Sequence, residues 1–336
     1  MPSGNFIVTS LPAYVQENRD ILVKDAVLGA STISRMRVQT GIKKDAYLNY
    51  LAVEPEFRDG RSCDWVPSGT VELTDRVIST ALLAINMTIC PKNLVGTYAE
   101  YLVRYGDRQD EMPYERYVMD GIRRWIRKQL DKLIWQADTA SATPSLAFFD
   151  GLLKIGATDI PAGQQIAISA SGAYAGLLEV YNALPEEVLA FDNVRIFVSP
   201  AIFRAFAQEL VALNLFHYEG PRDGETYEEH YLPGTKAIVT LAPGLEGSLK
   251  VFASYEDNLY YGTDLESDAE TVKVIYDEKT DAFNLKVLFN AGAQIAFPDR
   301  AVIGTFAAAP SAAVPGTRSV VIANTSANPV PTKEIA

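Results

Sequence analysis

Residues 113–138 are the stretch of this sequence that most constrains the fold. Pro113 is a favourable residue for the first turn of a helix, and the apolar residues that follow recur with helical spacing. These apolar residues are Val118, Ile122, Trp125, Ile126, Leu133, Ile134 and Ala137. At 1.5 Å per residue the predicted helix is on the order of 40 Å long. Two large bodies of strand-like sequence lie on either side of it.

The segment before the helix predicts a long two-stranded projection. Alternation of apolar and polar residues, which is typical of strands, occurs at 47–53, 70–74 and 83–89. Residues 54–62, between the two arms, are charged and contain the turn pair Asp59–Gly60. An isolated hairpin is marginally stable in water. We therefore expect something outside its own fold to stabilise this projection.

The sequence after the helix predicts a compact mixed body and then a second hairpin. Strands are expected at 164–169, 194–198, 237–241 and 249–253, and a helix at 173–184. Ser199 is predicted to cap another helix, with Pro200 at its first position. Alternation at 272–276 and 283–289, separated by a polar turn, predicts the clearest hairpin of the chain. The pattern as a whole favours an α+β fold class.

No set of residues predicts catalysis, a metal or a cofactor. Only His217 and His230 could act as general bases near neutral pH, and no nucleophile turn, phosphate-binding loop, dinucleotide motif or metal-ligand spacing occurs. One acidic cluster could suggest calcium, namely Asp264, Glu266, Asp268 and Glu270. It lacks the glycine and terminal glutamate of a calcium loop, so a solvated surface is preferred. Cys63 and Cys90 are too few for a disulfide framework or a zinc set.

The formal net charge of −12 argues against a protein whose main role is to bind the phosphates of nucleic acid. The predicted helix carries a basic face with Arg116, Arg123, Arg124, Arg127, Lys128 and Lys132. It also carries Asp120 and Asp131 and lacks interleaved aromatic residues for base stacking. A solvated face that pairs with acidic neighbours is therefore preferred.

A membrane location is not expected. No segment approaches the roughly 20 consecutive apolar residues needed to cross a bilayer. No signal peptide is recognised. An intracellular origin fits the sequence best.

Three short sequence segments, called phrases below, lie at defined points in this order of elements. Phe149–Leu153 follows the long helix, Phe197–Pro200 lies at a strand-to-helix step, and Val287–Phe306 contains a return strand followed by Phe297–Pro298. In these phrases and in its order of elements, the chain resembles the major capsid proteins of tailed bacteriophages, which have the Hong Kong-phage-type shell fold. The resemblance covers residues 17–306.

The resemblance implies a division of the chain and a function. The implied parts are an N-terminal arm with a short helix (1–35), an extended hairpin loop (36–92), a peripheral domain with spine helix 113–138 (93–161), a compact α/β axial domain (162–264), return strands of the peripheral domain (265–308) and a tail (309–336). The implied function is structural and not enzymatic. Copies of the chain would self-assemble into the icosahedral capsid of a double-stranded DNA phage, a virion component built in the host bacterial cytoplasm.

The implied partners are copies of the same chain, arranged in hexamers and pentamers. Predicted inter-subunit contacts are Arg58, Asp59, Arg61 and Trp65 at the hairpin tip, with Arg123, Arg124 and Arg127 on the helix. Trp65 could equally cover its own hairpin. Few residues precede the first predicted helix, so a separate scaffolding protein is expected, together with a portal and DNA packaged without sequence-specific binding. Lys43 and Lys44 lie at the base of the loop, so no covalent bond to a neighbouring subunit is predicted.

Two alternatives stay open. The first keeps the fold and makes the chain the shell of an encapsulin-like cellular compartment. The second is a β-rich carbohydrate-binding or hydrolytic protein, for which the stretch Tyr255–Tyr261, with its three tyrosines beside Glu256 and Asp257, is the only suggestion. Those tyrosines are spaced as strand residues are, so core packing explains them better.

Overall fold

The computed structural model describes residues 28–54, 56–57, 69–89, 114–190, 193–213, 215, 229–264, 271–277, 279 and 282–310. The predicted arm helix at 17–28 lies outside these residues except for its last position. The hairpin-tip residues Arg58, Asp59, Arg61 and Trp65, and the tail after 310, lie outside them too. Within the described ranges, no helix is long and apolar enough to cross a membrane.

Helices and strands alternate along most of the described chain. The helices are α1 (Tyr114–Gln136), α2 (Leu152–Asp159), α3 (Ala173–Asn182), α4 (Glu186–Leu189) and α5 (Pro200–Ala212). The strands are β1 (Arg37–Gln39), β2 (Asp45–Glu54), β3 (Thr70–Ser79), β4 (Ala81–Ile89), β5 (Gln165–Ile168), β6 (Val194–Val198), β7 (Glu229–Tyr231), β8 (Ile238–Leu241), β9 (Lys250–Tyr255), β10 (Leu259–Gly262), β11 (Thr271–Asp277), β12 (Ala282–Ile295) and β13 (Val302–Phe306).

The long helix predicted at 113–138 is confirmed as α1. Most of its apolar stripe is buried, but Trp125, which was predicted to belong to the stripe, is 50% exposed. Trp135, which was not assigned to the stripe, is fully buried. Trp135 packs against Phe197 and Phe252, with ring centroids 5.1 and 5.7 Å away. The C-terminal half of α1 is therefore covered on two sides, which a single apolar stripe does not indicate.

A peripheral sheet packs against α1 and is organised around β12. One edge of β12 pairs antiparallel with β4, and β10 and β11 also pair antiparallel with β12. Strand β1 lies parallel to β10. The hairpin predicted at 272–289 is confirmed, with Val274 opposite Leu285. Alternate side chains of β12, including Phe283, Leu285, Val287 and Phe289, are buried in the core shared with α1.

Strands β2 and β3 form a separate two-stranded ribbon. Ten residue pairs join them, from Asp45 opposite Ser79 to Glu54 opposite Thr70. Among the described residues, neither strand pairs with a third. Residues 83–89 were assigned to this projection, and that boundary is wrong, because β4 pairs with β12 in the peripheral sheet. Alternation in the sequence shows the two faces of a strand but not its neighbour.

An axial sheet has the strand order β5-β13-β9-β6-β8-β7. Its core includes side chains of α3 and α5, and Ser199 caps α5 by accepting a hydrogen bond from the Ile202 N–H, as predicted. Two assigned domain boundaries differ from the structure. Strand β10 lies in the peripheral sheet although it was placed in the axial domain, and β13 lies in the axial sheet although it was placed among the peripheral strands. The reason is that the chain crosses between the sheets after β9 and again after β12.

Candidate assembly surface

The ribbon is held to the body along one of its faces. Ile78 is fully buried, and Arg76 forms an ion pair with Asp159 of α2. The Gln294 side chain donates a hydrogen bond of 2.7 Å to the backbone carbonyl of Val77. At the base, the Thr80 N–H donates to the carbonyl of Lys44 at 2.7 Å. These contacts fix the direction in which the ribbon leaves the body.

The opposite face of the ribbon is open to solvent, and we call it the ribbon outer face. It consists of Asp45, Tyr47 and Asn49 on β2 with Asp75, Val77 and Ser79 on β3, all of them exposed. Tyr47 is 68% exposed and lies opposite Val77, which is 39% exposed. Asp45 and Asp75 are in no ion pair with the described part of the chain. The face therefore carries an apolar pair between two carboxylates that have no ion pair with a described residue.

A second open surface lies on the side of the peripheral sheet that faces away from α1, and we call it the lysine face. Its described side chains are Leu82, Ala84, Asn86, Thr88, Lys273, Ile275, Asp277, Ala282, Asn284, Lys286, Leu288 and Asn290, of which Ala282 and Asn290 are buried. Lys273 and Lys286 are direct cross-strand partners, and both are exposed. Asp277 lies on the same face, four positions from Lys273 along β11. Neither lysine is in an ion pair with a described residue.

The predicted helix contacts are partly engaged within α1 itself. Arg123 forms an ion pair with Asp120 one turn earlier, and the Arg124 Nε donates to the carbonyl of Asp120 at 3.3 Å. Arg127 is half-buried and also has an interaction partner. The exposed ring of Trp125 lies on the same helix. The proposed role of the three arginines between subunits remains a prediction.

Asp131 joins three parts of the molecule. The carboxylate is buried and accepts hydrogen bonds from the backbone N–H groups of Thr32, at 3.0 Å, and Gly244, at 2.6 Å. Trp135 donates its indole N–H to the Thr32 hydroxyl at 2.8 Å. Burial raises the pKa of Asp131, and the hydrogen bonds with Thr32 and Gly244 and the charge of Arg35 oppose that rise. The sequence interpretation had placed Asp131 on a solvated face, which is wrong.

A second polar junction ties the 31–36 segment to the axial sheet. The Arg35 Nε lies 2.6 Å from a Glu229 carboxylate oxygen, and the Arg195 Nη1 lies 2.9 Å from the same oxygen. The Arg195 Nε also contacts Glu256 at 3.1 Å. The two arginines and two glutamates balance each other's charge, so we interpret this cluster as stabilising the fold.

The described residues that were considered for catalysis or metal binding pack within the fold. His230 lies in β7, where its ring stacks on that of Phe203 with the centroids 5.7 Å apart, and burial lowers its pKa. Tyr255 and Tyr261 are buried in the core, as core packing predicted. Asp264 is also buried. The described residues include no group of three metal-ligating side chains, while His217, Cys63, Cys90 and the rest of the acidic cluster lie outside them.

Solved structures with the same architecture exist. A chain in the structure of the satellite phage P4 procapsid, which includes the size determination protein, matches with a TM-score of 0.55 and 11% identity, over 85% of this chain and 98% of that chain. This chain has the phage capsid fold. A chain in the capsid of an empty GTA particle matches at 0.55 and 12% identity, over 84% and 90% of the two chains. One from Mycobacterium phage Adephagia matches at 0.52 and 16% identity, over 84% and 91%.

These comparisons confirm the predicted Hong Kong-phage-type shell fold and its α+β class. No protein-family model and no curated protein sequence matches the chain. The capsid fold is therefore recognised from the path of the backbone. It gives no support to the alternatives of a cellular compartment or a carbohydrate-acting protein.

Proposed function

We propose that this chain is the subunit of an icosahedral capsid that encloses a double-stranded DNA phage genome. The observation that carries the proposal is the fold shared with a procapsid chain across nearly the full length of that chain. The ribbon supports it, because two strands with ten pairs and no third strand among the described residues are marginal alone. A neighbouring subunit supplies the missing stabilisation.

The mechanism is assembly. Axial domains gather around fivefold and sixfold axes as pentamers and hexamers, α1 lies in the wall, and each ribbon rests on an adjacent subunit. Many weak contacts per copy act together, so a modest affinity at each contact still gives a stable closed particle. A separate scaffolding protein and a portal complete the assembly in the host bacterial cytoplasm. The net charge of −12 is consistent with packaging DNA without gripping it.

Negative-stain microscopy and light scattering of the purified chain test this proposal. We expect closed particles, tubes or sheets whose amount rises with protein concentration. A chain that scatters as a monomer at every concentration and salt would refute the proposal.

The hairpin tip gives a second, local test. Arg58→Glu with Arg61→Glu is expected to reduce assembly while leaving the circular dichroism spectrum unchanged. The matched control, Arg58→Lys with Arg61→Lys, keeps both charges and should assemble. Normal particles from the glutamate variant would show that these arginines make no inter-subunit contact.

A further inference from the structure

We propose that residues 319–323 of the tail pair as an additional antiparallel strand with the edge of β5 in the same chain. The tail lies beyond the described residues, which end at Pro310. This inference does not depend on the capsid function, because it concerns a contact within the single subunit.

The edge of β5 is suited to accept a strand. Strand β5 lies at one end of the axial sheet, and among the described residues it pairs only with β13. A strand at the edge of a sheet presents unpaired backbone N–H and C=O groups, and proteins commonly protect such an edge with a charged side chain or a proline. Strand β7, at the opposite end of the sheet, carries Glu229. Strand β5 has the sequence Gln-Ile-Ala-Ile, with neither a charge nor a proline.

The apolar side chains of β5 are incompletely covered at this edge. Ile166 and Ile168 lie on the same face of the strand, since they are two residues apart. Ile168 is buried in the axial core, whereas Ile166 packs against the same core and is only half-buried. Ala167, on the other face, is exposed. A further strand beside β5 would give each isoleucine an apolar neighbour.

One segment of the tail has the composition of such a strand. Residues 319–323 have the sequence Ser-Val-Val-Ile-Ala, in which three consecutive residues are β-branched and apolar, the type favoured in strands. Pro315–Gly316 precedes this segment and Asn324 follows it, and these residues are typical of turns. Nowhere else after residue 306 does the sequence contain three consecutive β-branched residues.

The tail leaves the axial sheet beside β5. Strand β13 runs parallel to β5, and its last residue, Phe306, is the register partner of Ile168, the last residue of β5. A strand on the far side of β5 lies two strand spacings from β13, or about 10 Å. Residues 307–318 span roughly 40 Å when extended, which is more than enough. A chain that leaves at this end enters an antiparallel pairing directly, whereas a parallel one requires a return to the start of β5.

The pattern of the segment selects one register. When Val320 lies opposite Ile168, Ile322 lies opposite Ile166, and all four side chains are on the core face. A shift of one residue would turn the two tail side chains away from the core. A shift of two residues would place a polar residue of the tail opposite one of the isoleucines.

Other pairings are less favourable. Strand β4 also has an uncharged edge, but it belongs to the peripheral sheet, whereas the tail leaves the axial one. The tail of a second copy reaches β5 only by diffusion, whereas the short connection keeps the chain's own tail at a high local concentration. Pairing within one chain also closes an edge through which axial sheets of different subunits would otherwise associate.

Engineered disulfides in the full-length chain test the pairing. In a background with Cys63→Ser and Cys90→Ser, the substitutions Ala167→Cys and Val321→Cys place two thiols on directly opposite residues, within the range that a disulfide bridges. Mild oxidation of dilute, unassembled protein is expected to give a disulfide within one chain, detected by mass spectrometry of the digested protein. The matched control, Ala167→Cys with Ile322→Cys, puts the thiols on opposite faces and should form none.

Hydrogen exchange gives a second measurement that needs no cysteine. Ending the chain after residue 310 is expected to speed exchange of the β5 amides that face the tail by about fivefold or more, the factor that corresponds to one backbone hydrogen bond. Val320→Asp with Ile322→Asp in the full-length chain should have the same effect. Val330→Asp, outside the segment, should leave exchange at β5 unchanged.

Two sets of results would overturn the inference. The first is an equal yield of disulfide from the two cysteine pairs, or exchange at β5 that is the same with and without the tail. The second is a disulfide that joins two chains instead of closing one, because the edge of β5 would then receive the tail of a second copy.

Discussion

Replacing Asp131 by alanine is expected to destabilise the unassembled subunit by about 3 kcal/mol. The carboxylate accepts two buried backbone hydrogen bonds, from Thr32 and Gly244. Hydrogen bonds to a charged group each contribute about 1.5–3 kcal/mol, and alanine leaves both donors without a partner. The sum is reduced because burying the carboxylate itself is unfavourable, as its raised pKa shows.

The assay is urea unfolding of dilute, unassembled protein, followed by tryptophan fluorescence and circular dichroism. A loss of about 3 kcal/mol corresponds to a fall in melting temperature of roughly 4 °C for a chain of 336 residues. Asp120→Ala is the matched control on the same helix. Asp120 pairs with Arg123 near the surface, so its loss is expected to cost less than about 1 kcal/mol.

The pH dependence of the same variant gives an independent check. Because burial raises the pKa of Asp131, the folded chain retains the proton at pH values where the unfolded chain has released it. The contribution of Asp131 to unfolding free energy therefore falls as the pH rises above about 3.8, the ordinary value for the group. Asp131→Asn should lack this slope. If Asp131→Ala matches the unchanged chain within about 1 kcal/mol, the two backbone donors have other partners and the argument is refuted.

Three further perturbations test the packing. Trp135→Ala should cost about 3–5 kcal/mol, whereas Trp125→Ala should stay within about 0.5 kcal/mol, both measured by urea unfolding. Gly244→Ala should cost about 3 kcal/mol or more in melting experiments, because its Cβ would lie 2.1 Å from the carbonyl oxygen of Asp131. Burial lowers the pKa of His230, so the unfolded chain binds its proton first and stability should fall as the pH drops below 6.5. His230→Phe should remove that fall, and an unchanged pH profile would contradict the assignment.

Element type could be predicted from the sequence where one period dominates. The apolar stripe beginning at Val118 gave α1 nearly to its ends, and the alternation at 283–289 gave the first half of β12, which continues to Ile295. Partners could not be predicted, because a period identifies the buried face and not what covers it. For this reason the prediction of a strand at 83–89 was correct, but its assignment to the projection was wrong.

Asp131 shows why the polar junctions were missed. It lies nine residues after Ile122, or two and a half turns of helix, which places it opposite the apolar stripe. The segment around Thr32 and the turn at Gly244, both distant in sequence, cover that side. The one local signal was Trp135, a large apolar residue one turn later on the same side. Alternation in the sequence already placed Lys273 and Ile275 on one face of their strand. That Lys273 and Lys286 lie directly opposite each other could be seen only from the pairing register of β11 and β12.

The position of β13 has a consequence for how the subunit is made. Among the described strands, β5 pairs only with β13, and β13 also completes the edge of β9. A ribosome releases β5 long before β13, so the position between β5 and β9 in the axial sheet stays empty until residues 302–306 have been synthesised.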